Sequence, residues 1–257
     1  MESILFELQD AVGIIRLNRP EKMNAFNREM SLLMQKTLDH CMGESIRAVY
    51  LTGNGRAFSA GQDLMEATDP NATGFDRLLS EHYNPIVQKI RNLEKPVISA
   101  VNGVAAGAGA NMALCCDIVL ASQSATFLQA FSKIGLIPDS GGTYFLPRLI
   151  GWQKASALAM IGDKITATEA ERLGMVYKVF PDNEFPEASF AIAKSLASMP
   201  TRALALTKKA LSLSFTHSFE KQLEVEDLFQ QQAARTSDYR EGVNAFLEKR
   251  QPKFKGK

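Results

Sequence analysis

Three glycines in one short segment are the first residues whose spacing indicates chemistry. Gly103, Gly107 and Gly109 follow the apolar residues 96–101, which predict a buried strand, and they lead into a segment that begins as a helix. Glycine permits positive φ angles and close approach to the backbone, and the first turn of a helix carries unpaired N–H groups. The segment therefore predicts either a turn that holds an anion or a tight crossing of a helix against a sheet.

A second glycine-bearing loop favours the first of these interpretations. The apolar residues 48–52 predict another buried strand, and it ends in residues 53–64, where Gly61 follows Ser59 and Ala60. Two strand-end loops of small residues can present two backbone N–H groups to one oxygen atom. That arrangement is the geometry of an oxyanion hole.

Hydrophobic patterning predicts the elements that position these loops. The first half is expected to contain a β-hairpin at 4–9 and 12–17, a helix capped by Asn27 and ending near Cys41, strands at 48–52, 96–101 and 118–121, a loop at 69–74, and a helix at 75–93 interrupted at Pro85. The second half is expected to contain a helix capped by Thr168 and ended by Gly174, a strand at 176–180, and helices after residue 185 that are broken at Pro200, the last one begun by a capping box of Asp238 and Glu241. Alternating strands and helices indicate a parallel sheet with crossover helices.

Four motifs, in this order, resemble the signatures of the crotonase (enoyl-CoA hydratase/isomerase) superfamily. They are residues 18–25 (Asn-Arg-Pro-Glu-Lys-Met-Asn-Ala), 57–64 (Ala-Phe-Ser-Ala-Gly-Gln-Asp-Leu), 102–109 (Asn-Gly-Val-Ala-Ala-Gly-Ala-Gly) and 135–143 (Gly-Leu-Ile-Pro-Asp-Ser-Gly-Gly-Thr). The resemblance runs from about residue 4 to the tail. It implies an α/β fold with a crotonase-like spiral core of ββα turns at 1–196 and a C-terminal helical segment at 197–257 that packs between subunits of trimers.

The resemblance also implies where the oxyanion hole lies. In this superfamily two backbone amides bind the thioester carbonyl of an acyl-CoA, and the matching positions here are Gln62 and Ala108. Removal of a proton from the carbon beside a thioester places negative charge on the carbonyl oxygen. Fixed donors stabilise such an oxygen by about 3–4 kcal/mol each.

The acid/base group is expected to be Asp139. The hydratases of the family use two glutamates, and the matching positions here are Asn111 and Phe131, so water addition by two glutamates is not expected. From the residues alone, Asp139 is an ideal N-cap for a following helix. The resemblance favours a catalytic role instead, because family members with aspartate at this position include isomerases.

A 4-chlorobenzoyl-CoA dehalogenase also has an aspartate at this position, as a nucleophile. That enzyme needs a tryptophan eight residues earlier and a histidine upstream. Here Phe131 occupies the position of the tryptophan, and Asn84 falls at about the position of the histidine, with His82 nearby. The sequence therefore does not favour a dehalogenase.

Further stretches resemble one branch of isomerases within the superfamily. These stretches are residues 60–64, 83–85, 105–110, 130–139, 237–243 and 246–250. The branch converts ring-1,2-epoxyphenylacetyl-CoA to an oxepin-CoA in bacterial phenylacetate breakdown, and its site can also move a 3-enoyl double bond to the 2-position. Two alternatives stay open: a Δ3,Δ2-enoyl-CoA isomerase of fatty-acid oxidation that uses the same Asp139, and a non-catalytic acyl-CoA-binding member.

The resemblance implies the substrate contacts and the assembly. The expected substrate-binding residues are Lys22, Met23 and Ala25 near the nucleotide, Ser59 and Ala60 near the adenine, Asn111 and Phe131 in the acyl pocket, and Phe246, Lys249 and Phe254 from the same or a neighbouring subunit. No separate cofactor is expected, because CoA is part of the acyl-CoA thioester substrate. The expected assembly is a homotrimer or a hexamer formed as a dimer of trimers. The Lys-rich tail at residues 253–257 either contributes to these CoA contacts or is a solvated chain end.

Composition limits the possible partners and compartments. The chain has 257 residues and a formal net charge of +1, so neither a nucleic-acid nor a membrane surface is indicated. The first residues match neither a secretory leader nor a transit peptide, and a cytoplasmic protein is expected. Cys41, Cys115 and Cys116 are expected to be buried free thiols. No metal site is predicted, because the three histidines are far apart and no Cys-x-x-Cys pair occurs.

Overall fold

The computed structural model describes residues 2–70 and 72–257, so residues 1 and 71, the latter within the predicted loop at 69–74, lie outside the described part of the chain. The strands are β1 Ile4–Gln9, β2 Val12–Leu17, β3 Ala48–Gly53, β4 Ala57–Ser59, β5 Val97–Val101, β6 Val104–Ala106, β7 Ile118–Ser122, β8 Thr126–Leu128, β9 Lys164–Thr166 and β10 Lys178–Phe180. The α-helices are α1 Arg28–His40, α2 Leu64–Ala67, α3 Phe75–Leu78, α4 Asn84–Asn92, α5 Ala108–Leu114, α6 Gly142–Ile150, α7 Trp152–Ile161, α8 Ala167–Leu173, α9 Phe185–Ser198, α10 Thr201–Ser214, α11 Phe219–Ala234 and α12 Ser237–Leu247. Short 3₁₀ helices cover Pro20–Lys22 and Ala130–Ile134, and a π-helical turn covers Leu79–Tyr83.

The strands form two sheets, and the chain alternates between them. Six strands form one sheet in the order β1-β2-β3-β5-β7-β10, in which β1 and β2 form the predicted antiparallel hairpin and the other neighbours are parallel. The second sheet has the order β4-β6-β8-β9. Each long strand β3, β5 and β7 is followed by a short strand of the second sheet and then by helix. The predicted α/β spiral of ββα turns is therefore confirmed.

Both faces of the six-stranded sheet are buried. On β3, Val49 and Leu51 point into a larger core with α1, α5 and the second sheet, whereas Ala48 and Tyr50 point into a smaller core under α9. This alternation follows from the two-residue period of a strand, and burial on both faces is typical of parallel sheets. The ends of β4 and β6, which carry the two candidate loops, lie against the larger core.

The short strands of the second sheet were not predicted. β4, β6, β8 and β9 have three residues each. Three residues are too few to show an alternating pattern, and their pairing partners are distant in sequence. Their pairing matters for the site, because it brings the loops after β4 and β6 side by side.

Two predicted helix caps are wrong by two residues. Thr166, not Thr168, caps α8, since its hydroxyl accepts the Glu169 N–H at 3.2 Å. Thr236, not Asp238, caps α12 by accepting the Tyr239 N–H at 3.1 Å. In both cases a threonine two residues earlier supplies the oxygen that the third helical amide needs. The cap predicted at Asn27 is confirmed, because its side chain accepts the Met30 N–H at 2.9 Å.

The interruption predicted at Pro85 takes the form of a π-helical turn. Pro85 has no N–H, and the N–H of the preceding Asn84 bonds to the Leu79 carbonyl five residues earlier. Helix α3, the π turn and α4 therefore follow one another directly along the predicted helix 75–93. Two consecutive residues of the turn, His82 and Tyr83, are both buried.

Several apolar side chains of the C-terminal helices are exposed. Helix α9 packs on the six-stranded sheet, and the expected boundary at residue 196 falls in its last turn, shortly before Pro200, which precedes α10. Helix α11 contains no buried residue, and its Phe219 is 73 % exposed.

The C-terminal tail joins α12 to the core through Asp238. The Asp238 carboxylate accepts the N–H groups of Lys255 at 2.6 Å and Gly256 at 2.7 Å, and the residue is 2 % exposed. Arg47, just before β3, donates to the Phe254 carbonyl at 2.9 Å. The tail is thus held from both sides.

Replacement of this buried carboxylate tests its structural role. We expect Asp238→Asn to lower the free energy of unfolding by about 1.5–3 kcal/mol, because the two N–H groups bond to different carboxylate oxygens and the new NH₂ would face one of these donors. Urea unfolding measures the effect, with the exposed Asp163→Asn as the matched control. Equal midpoints for the two variants would contradict this account of the tail.

Candidate active site

The first loop of the candidate site follows β4. Phe26 pairs with Gln62 as a parallel bridge, in which the Phe26 N–H donates to the Gly61 carbonyl at 2.7 Å and the Asp63 N–H donates to the Phe26 carbonyl at 2.8 Å. In such a pair the N–H of the middle residue points away from the partner strand. Within residues 2–70 and 72–257, the Gln62 N–H donates to no protein group.

The second loop joins β6 to α5. Gly107 adopts φ 54° and ψ −129°, a conformation that only glycine adopts without strain, and its N–H donates to the Leu128 carbonyl at 2.8 Å. Its ψ angle sets the direction of the next N–H, that of Ala108, which begins α5. In the part of the chain that the structure describes, this N–H also has no protein acceptor.

The two loops approach each other closely because glycines remove the side chains between them. A Cβ on Gly61 would lie 3.2 Å from the Ala108 nitrogen and 2.9 Å from the Ala106 carbonyl oxygen. A Cβ on Gly109 would lie 2.6 Å from the Ser59 carbonyl oxygen. The backbones therefore pack at distances that no other residue allows, and the loop that carries Gln62 lies directly against the start of α5, where Ala108 lies.

The predicted CoA-binding segment at 22–25 lies directly beside the first loop. The Ala60 N–H donates to the Met23 carbonyl at 2.9 Å, and the Ser59 hydroxyl donates to the Asn24 carbonyl at 2.9 Å. Lys22 is exposed, whereas Ala25 is buried. The fold thus brings five of the predicted substrate-binding residues to one edge of the site.

Two neighbouring side chains that were not predicted hold this segment in place. The Asn24 amide donates to the carbonyls of Asn54 at 2.9 Å and Ala57 at 2.8 Å. The Arg19 guanidinium pairs with the Asp63 carboxylate at 2.9 Å and bonds the Ala25 carbonyl. Asn24 and Arg19 of the motif at 18–25 therefore have structural functions here.

Asp139 lies between the 3₁₀ helix Ala130–Ile134 and α6, and its side chain does not cap a helix. Helix α6 begins after Gly141, which has φ 80°, and the Asp139 carboxylate accepts the Ser140 hydroxyl at 2.9 Å. The cap that the residues alone suggested is therefore wrong. The carboxyl group is free for another role.

Burial changes the acidity of this carboxyl group. Burial raises the pKa of Asp139 from 3.8 to about 6, and the Ser140 hydrogen bond opposes this only in part. No charged side chain of the described residues contributes to the shift. Asp139 is therefore a solitary carboxyl group whose pKa is close to neutral pH.

Asn111 fixes the backbone of Asp139. Its amide nitrogen donates to the Asp139 carbonyl at 2.9 Å, and its oxygen accepts from the Gln129 amide at 2.7 Å. Asn111 lies three residues after Ala108, so one face of α5 carries both the free amide and the support of the carboxylate. Asn111 is fully buried, and Gln129, which was not predicted, completes the pair.

Phe131 borders the second loop, and the predicted C-terminal contacts lie elsewhere in the chain. The Phe131 ring is 3.7 Å from the position of a Cβ on Gly107. Phe246 is 83 % exposed, Lys249 adopts φ 53°, and the Phe254 carbonyl is bonded to Arg47. Within the described residues, no hydrogen bond joins these three residues to the loops.

The histidine considered for a dehalogenase faces a different neighbourhood. His82 is buried, and its Nε2 lies 3.3 Å from an Arg28 nitrogen that also pairs with Glu81. Burial, assisted by Arg28, lowers the pKa of His82. The neighbouring Tyr83 instead faces the site, where its hydroxyl donates to the Gln62 side chain at 2.7 Å.

Comparison with known proteins identifies the family. The model of the enoyl-CoA hydratase/isomerase family matches residues 7–257. The chain therefore belongs to this family, and it is a crotonase-type enzyme of the isomerase and hydratase group that acts on CoA thioesters.

Individual relatives match over the whole length. The chain is 46 % identical to the 1,2-epoxyphenylacetyl-CoA isomerase of Escherichia coli K12 over 100 % of both chains. It is 44 % identical to a Rhodobacter capsulatus protein named "Probable enoyl-CoA hydratase", over 99 % of this chain and 98 % of the relative. The crystal structure of an enoyl-CoA hydratase from Bacillus anthracis matches with a TM-score of 0.94 and 33 % identity, over 99 % of this chain and 100 % of the other.

Residues 2–70 and 72–257 contain neither a metal-binding cluster nor a helix that could span a membrane. No group of three or more His, Cys, Asp or Glu side chains is arranged to hold a metal ion. No helix there is both long enough and apolar enough to cross a bilayer.

The close approach at Gly109 predicts a strong substitution effect. We expect Gly109→Ala to lower the free energy of unfolding by about 1–3 kcal/mol and to displace the Ala108 amide, because the new methyl group meets the Ser59 backbone. Urea unfolding and turnover of a CoA thioester measure the two effects. Gly43→Ala is the control, since its Cβ would have an ordinary contact of 3.4 Å. Equal behaviour of both variants would contradict the packing argument.

The raised pKa of Asp139 predicts a pH-dependent stability difference. Because the folded protein holds the carboxyl proton more tightly than the unfolded chain, ionisation destabilises the fold as pH rises from about 4 to about 6. We expect Asp139→Asn to be more stable than the wild type at pH 7, with a difference that shrinks as pH falls towards 4. Urea unfolding across this range is the measurement. A difference that does not change with pH would refute it.

Proposed function

We propose that this enzyme is an acyl-CoA isomerase that converts ring-1,2-epoxyphenylacetyl-CoA to the oxepin thioester. The observation that carries the proposal is a solitary half-buried carboxyl group, Asp139, with a pKa near 6. Its charge acts on Tyr83, which bonds the side chain of Gln62, one of the two residues whose backbone amides have no acceptor among the described residues. The printed name of the E. coli relative, which matches over the full length, supports the choice of substrate.

The proposed chemistry is the transfer of one proton between two carbons. The ring epoxide and the oxepin interconvert by opening one ring carbon–carbon bond, which needs no acid or base. The Asp139 carboxylate then takes a proton from the carbon beside the thioester, and the electron pair moves to the thioester oxygen as an enolate. When the enolate collapses, the ring double bond moves into conjugation, and Asp139 returns the proton to the next ring carbon. The mass of the substrate is unchanged.

The two amides give this enolate its stabilisation in the proposal. The N–H groups of Gln62 and Ala108 donate to the thioester oxygen, where the charge develops. Since both donors are backbone groups, the side chains of Gln62 and Ala108 do not themselves contact the thioester oxygen in the proposal. A linear 3-enoyl-CoA would undergo the same proton transfer in the same site, so we also propose 3-enoyl to 2-enoyl isomerisation as a second reaction.

Water addition is disfavoured by the surroundings of Asp139. A two-carboxylate hydratase needs a second acid to position water, and the candidate positions hold Asn111 and Phe131. The Asn111 side chain is already bonded to the Asp139 carbonyl and to Gln129. Phe131 contributes an apolar ring next to Gly107. These residues suit an apolar acyl group better than a bound water molecule.

We also propose that the enzyme is a homotrimer or a dimer of trimers. The exposed apolar side chains of α11 and α12, such as Phe219 and Phe246, support this, because a second copy of the chain would cover them. In such an assembly, Phe246, Lys249 and Phe254 would reach the CoA of the same or a neighbouring subunit.

Direct turnover tests the proposal. We expect the protein to convert freshly prepared ring-1,2-epoxyphenylacetyl-CoA to a product of equal mass with a new ultraviolet spectrum. Asp139→Asn should lower the rate by roughly 10²–10⁴-fold, because the proton carrier is lost. For the wild type, kcat/KM should fall about tenfold per pH unit below about pH 6, since only the ionised carboxylate accepts the proton.

The other outcomes separate the competing functions. The exposed Asp163→Asn should retain full activity as the matched control. A product heavier by one water would establish hydration and refute the acid/base assignment. Turnover of a linear 3-enoyl-CoA alone would favour the fatty-acid isomerase, and saturable binding without turnover by any thioester would favour a binding protein.

A further inference from the structure

The most informative contact outside the groups already assigned is made by Tyr83. Its side chain is fully buried, and its hydroxyl donates to the Gln62 side-chain oxygen at 2.7 Å. Burial, with a further contribution from the nearby Asp139 carboxylate, raises the pKa of Tyr83 well above its usual value. The hydroxyl therefore remains a donor over the working pH range, and it lies in the same electrostatic environment as Asp139.

The backbone places Tyr83 at this point through the π turn. Tyr83 is the last residue of Leu79–Tyr83, and the extra residue of a π turn rotates the following side chains relative to a regular helix. Within this turn His82 faces Arg28, while Tyr83 faces Gln62. π turns occur frequently at functional sites.

Gln62 needs this contact because its peptide plane has few other restraints. The peptide that carries the Gln62 N–H also carries the Gly61 carbonyl, which accepts from Phe26 at 2.7 Å. On the other side Gly61, at φ 87°, has no side chain to restrict rotation. The Gln62 side chain is held at both ends, by Tyr83 at its oxygen and by the Asp63 carbonyl at its nitrogen, at 3.2 Å. The Tyr83 and Phe26 rings are also in contact, with centroids 6.1 Å apart.

We propose that Tyr83 is a positioning residue that acts through Gln62: its hydrogen bond holds the Gln62 peptide so that the N–H points at the thioester oxygen. Phe26 holds this peptide from its carbonyl side and Tyr83 holds it from its side chain. The inference rests on the proposed function, because it assigns a role within the same site. Since Phe26 remains as a second restraint, the expected effect is moderate.

The experiment compares two tyrosines that make similar hydrogen bonds. Tyr83→Phe removes the hydroxyl and keeps the ring. Tyr50→Phe is the matched control, because Tyr50 is 4 % exposed and its hydroxyl lies 2.8 Å from the Ser189 hydroxyl, in the smaller core away from the site. Gln62→Met removes the acceptor and keeps the backbone N–H.

We expect Tyr83→Phe to lower kcat for the isomerase substrate by roughly threefold to tenfold, the range for loss of one hydrogen bond, and to leave KM within about twofold. The double variant with Gln62→Met should be no slower than Gln62→Met alone, because both changes remove the same contact. Tyr50→Phe should retain the wild-type kcat. Wild-type kcat in Tyr83→Phe, or equal and additive losses in the double variant, would overturn the proposal.

A second readout separates this inference from the proposed function. When cinnamoyl-CoA binds, hydrogen bonds to its thioester oxygen shift its absorption to longer wavelength, whether or not the protein turns over any substrate. We expect a smaller shift with Tyr83→Phe and with Gln62→Met than with the wild type or Tyr50→Phe. Shifts equal to the wild type in both site variants would overturn the role of Tyr83. If the wild-type protein turned over none of the isomerase substrates, that result would instead contradict the proposed function.

Discussion

The arrangement of the site depends on one constraint, the close approach of the backbone after β4 to the start of α5. Gly61 and Gly109 face backbone atoms of the other segment at distances below those that a Cβ tolerates. Only under this condition can the loop that carries Gln62 lie against the start of α5 at Ala108, and neither N–H has an acceptor within residues 2–70 and 72–257. An N–H without a partner is unfavourable in a folded protein, and in the proposed function the thioester oxygen would be the acceptor of both.

Helix α5 connects this crossing to the carboxyl group. It is short and buried along its whole length, so its position is determined by the core that surrounds it. Ala108 at its start supplies an amide, and Asn111 one turn later holds the backbone of Asp139. Gly142 is needed at the same point, because a Cβ there would overlap the Asn111 side chain. A shift of α5 would therefore move the amide and the carboxyl group together, which keeps their relative position constant.

The site is formed at the expense of stability. Asp139 lies where burial disfavours its ionised form, and no cation of the described residues compensates for it. A better-solvated aspartate would stabilise the fold but would be a weaker base. Burial also keeps the Tyr83 hydroxyl protonated. The same environment therefore contains a neutral hydrogen-bond donor, Tyr83, and a carboxyl group that can accept a proton, Asp139.

The sequence by itself determined the local features and, through the resemblance, the family. Some features depend only on neighbouring residues, so their patterns are visible in the chain. These are the hairpin at 4–9 and 12–17, the Asn27 cap and the glycines of the two loops. The four ordered motifs indicated Gln62, Ala108 and Asp139 as candidates, although nothing in the residues separated an acid/base Asp139 from a helix cap. That choice needed the position of the side chain relative to α6.

Only the tertiary structure decided which distant residues cooperate. The three-residue strands of the second sheet carry no pattern of their own, because they exist through pairing between segments far apart in sequence. The contacts of Tyr83 with Gln62 and of Gln129 with Asn111 join residues 21 and 18 positions apart, respectively. The pKa of Asp139 depends on how deeply the fold buries it. Such properties arise from packing in three dimensions, which residue types and spacing do not encode locally.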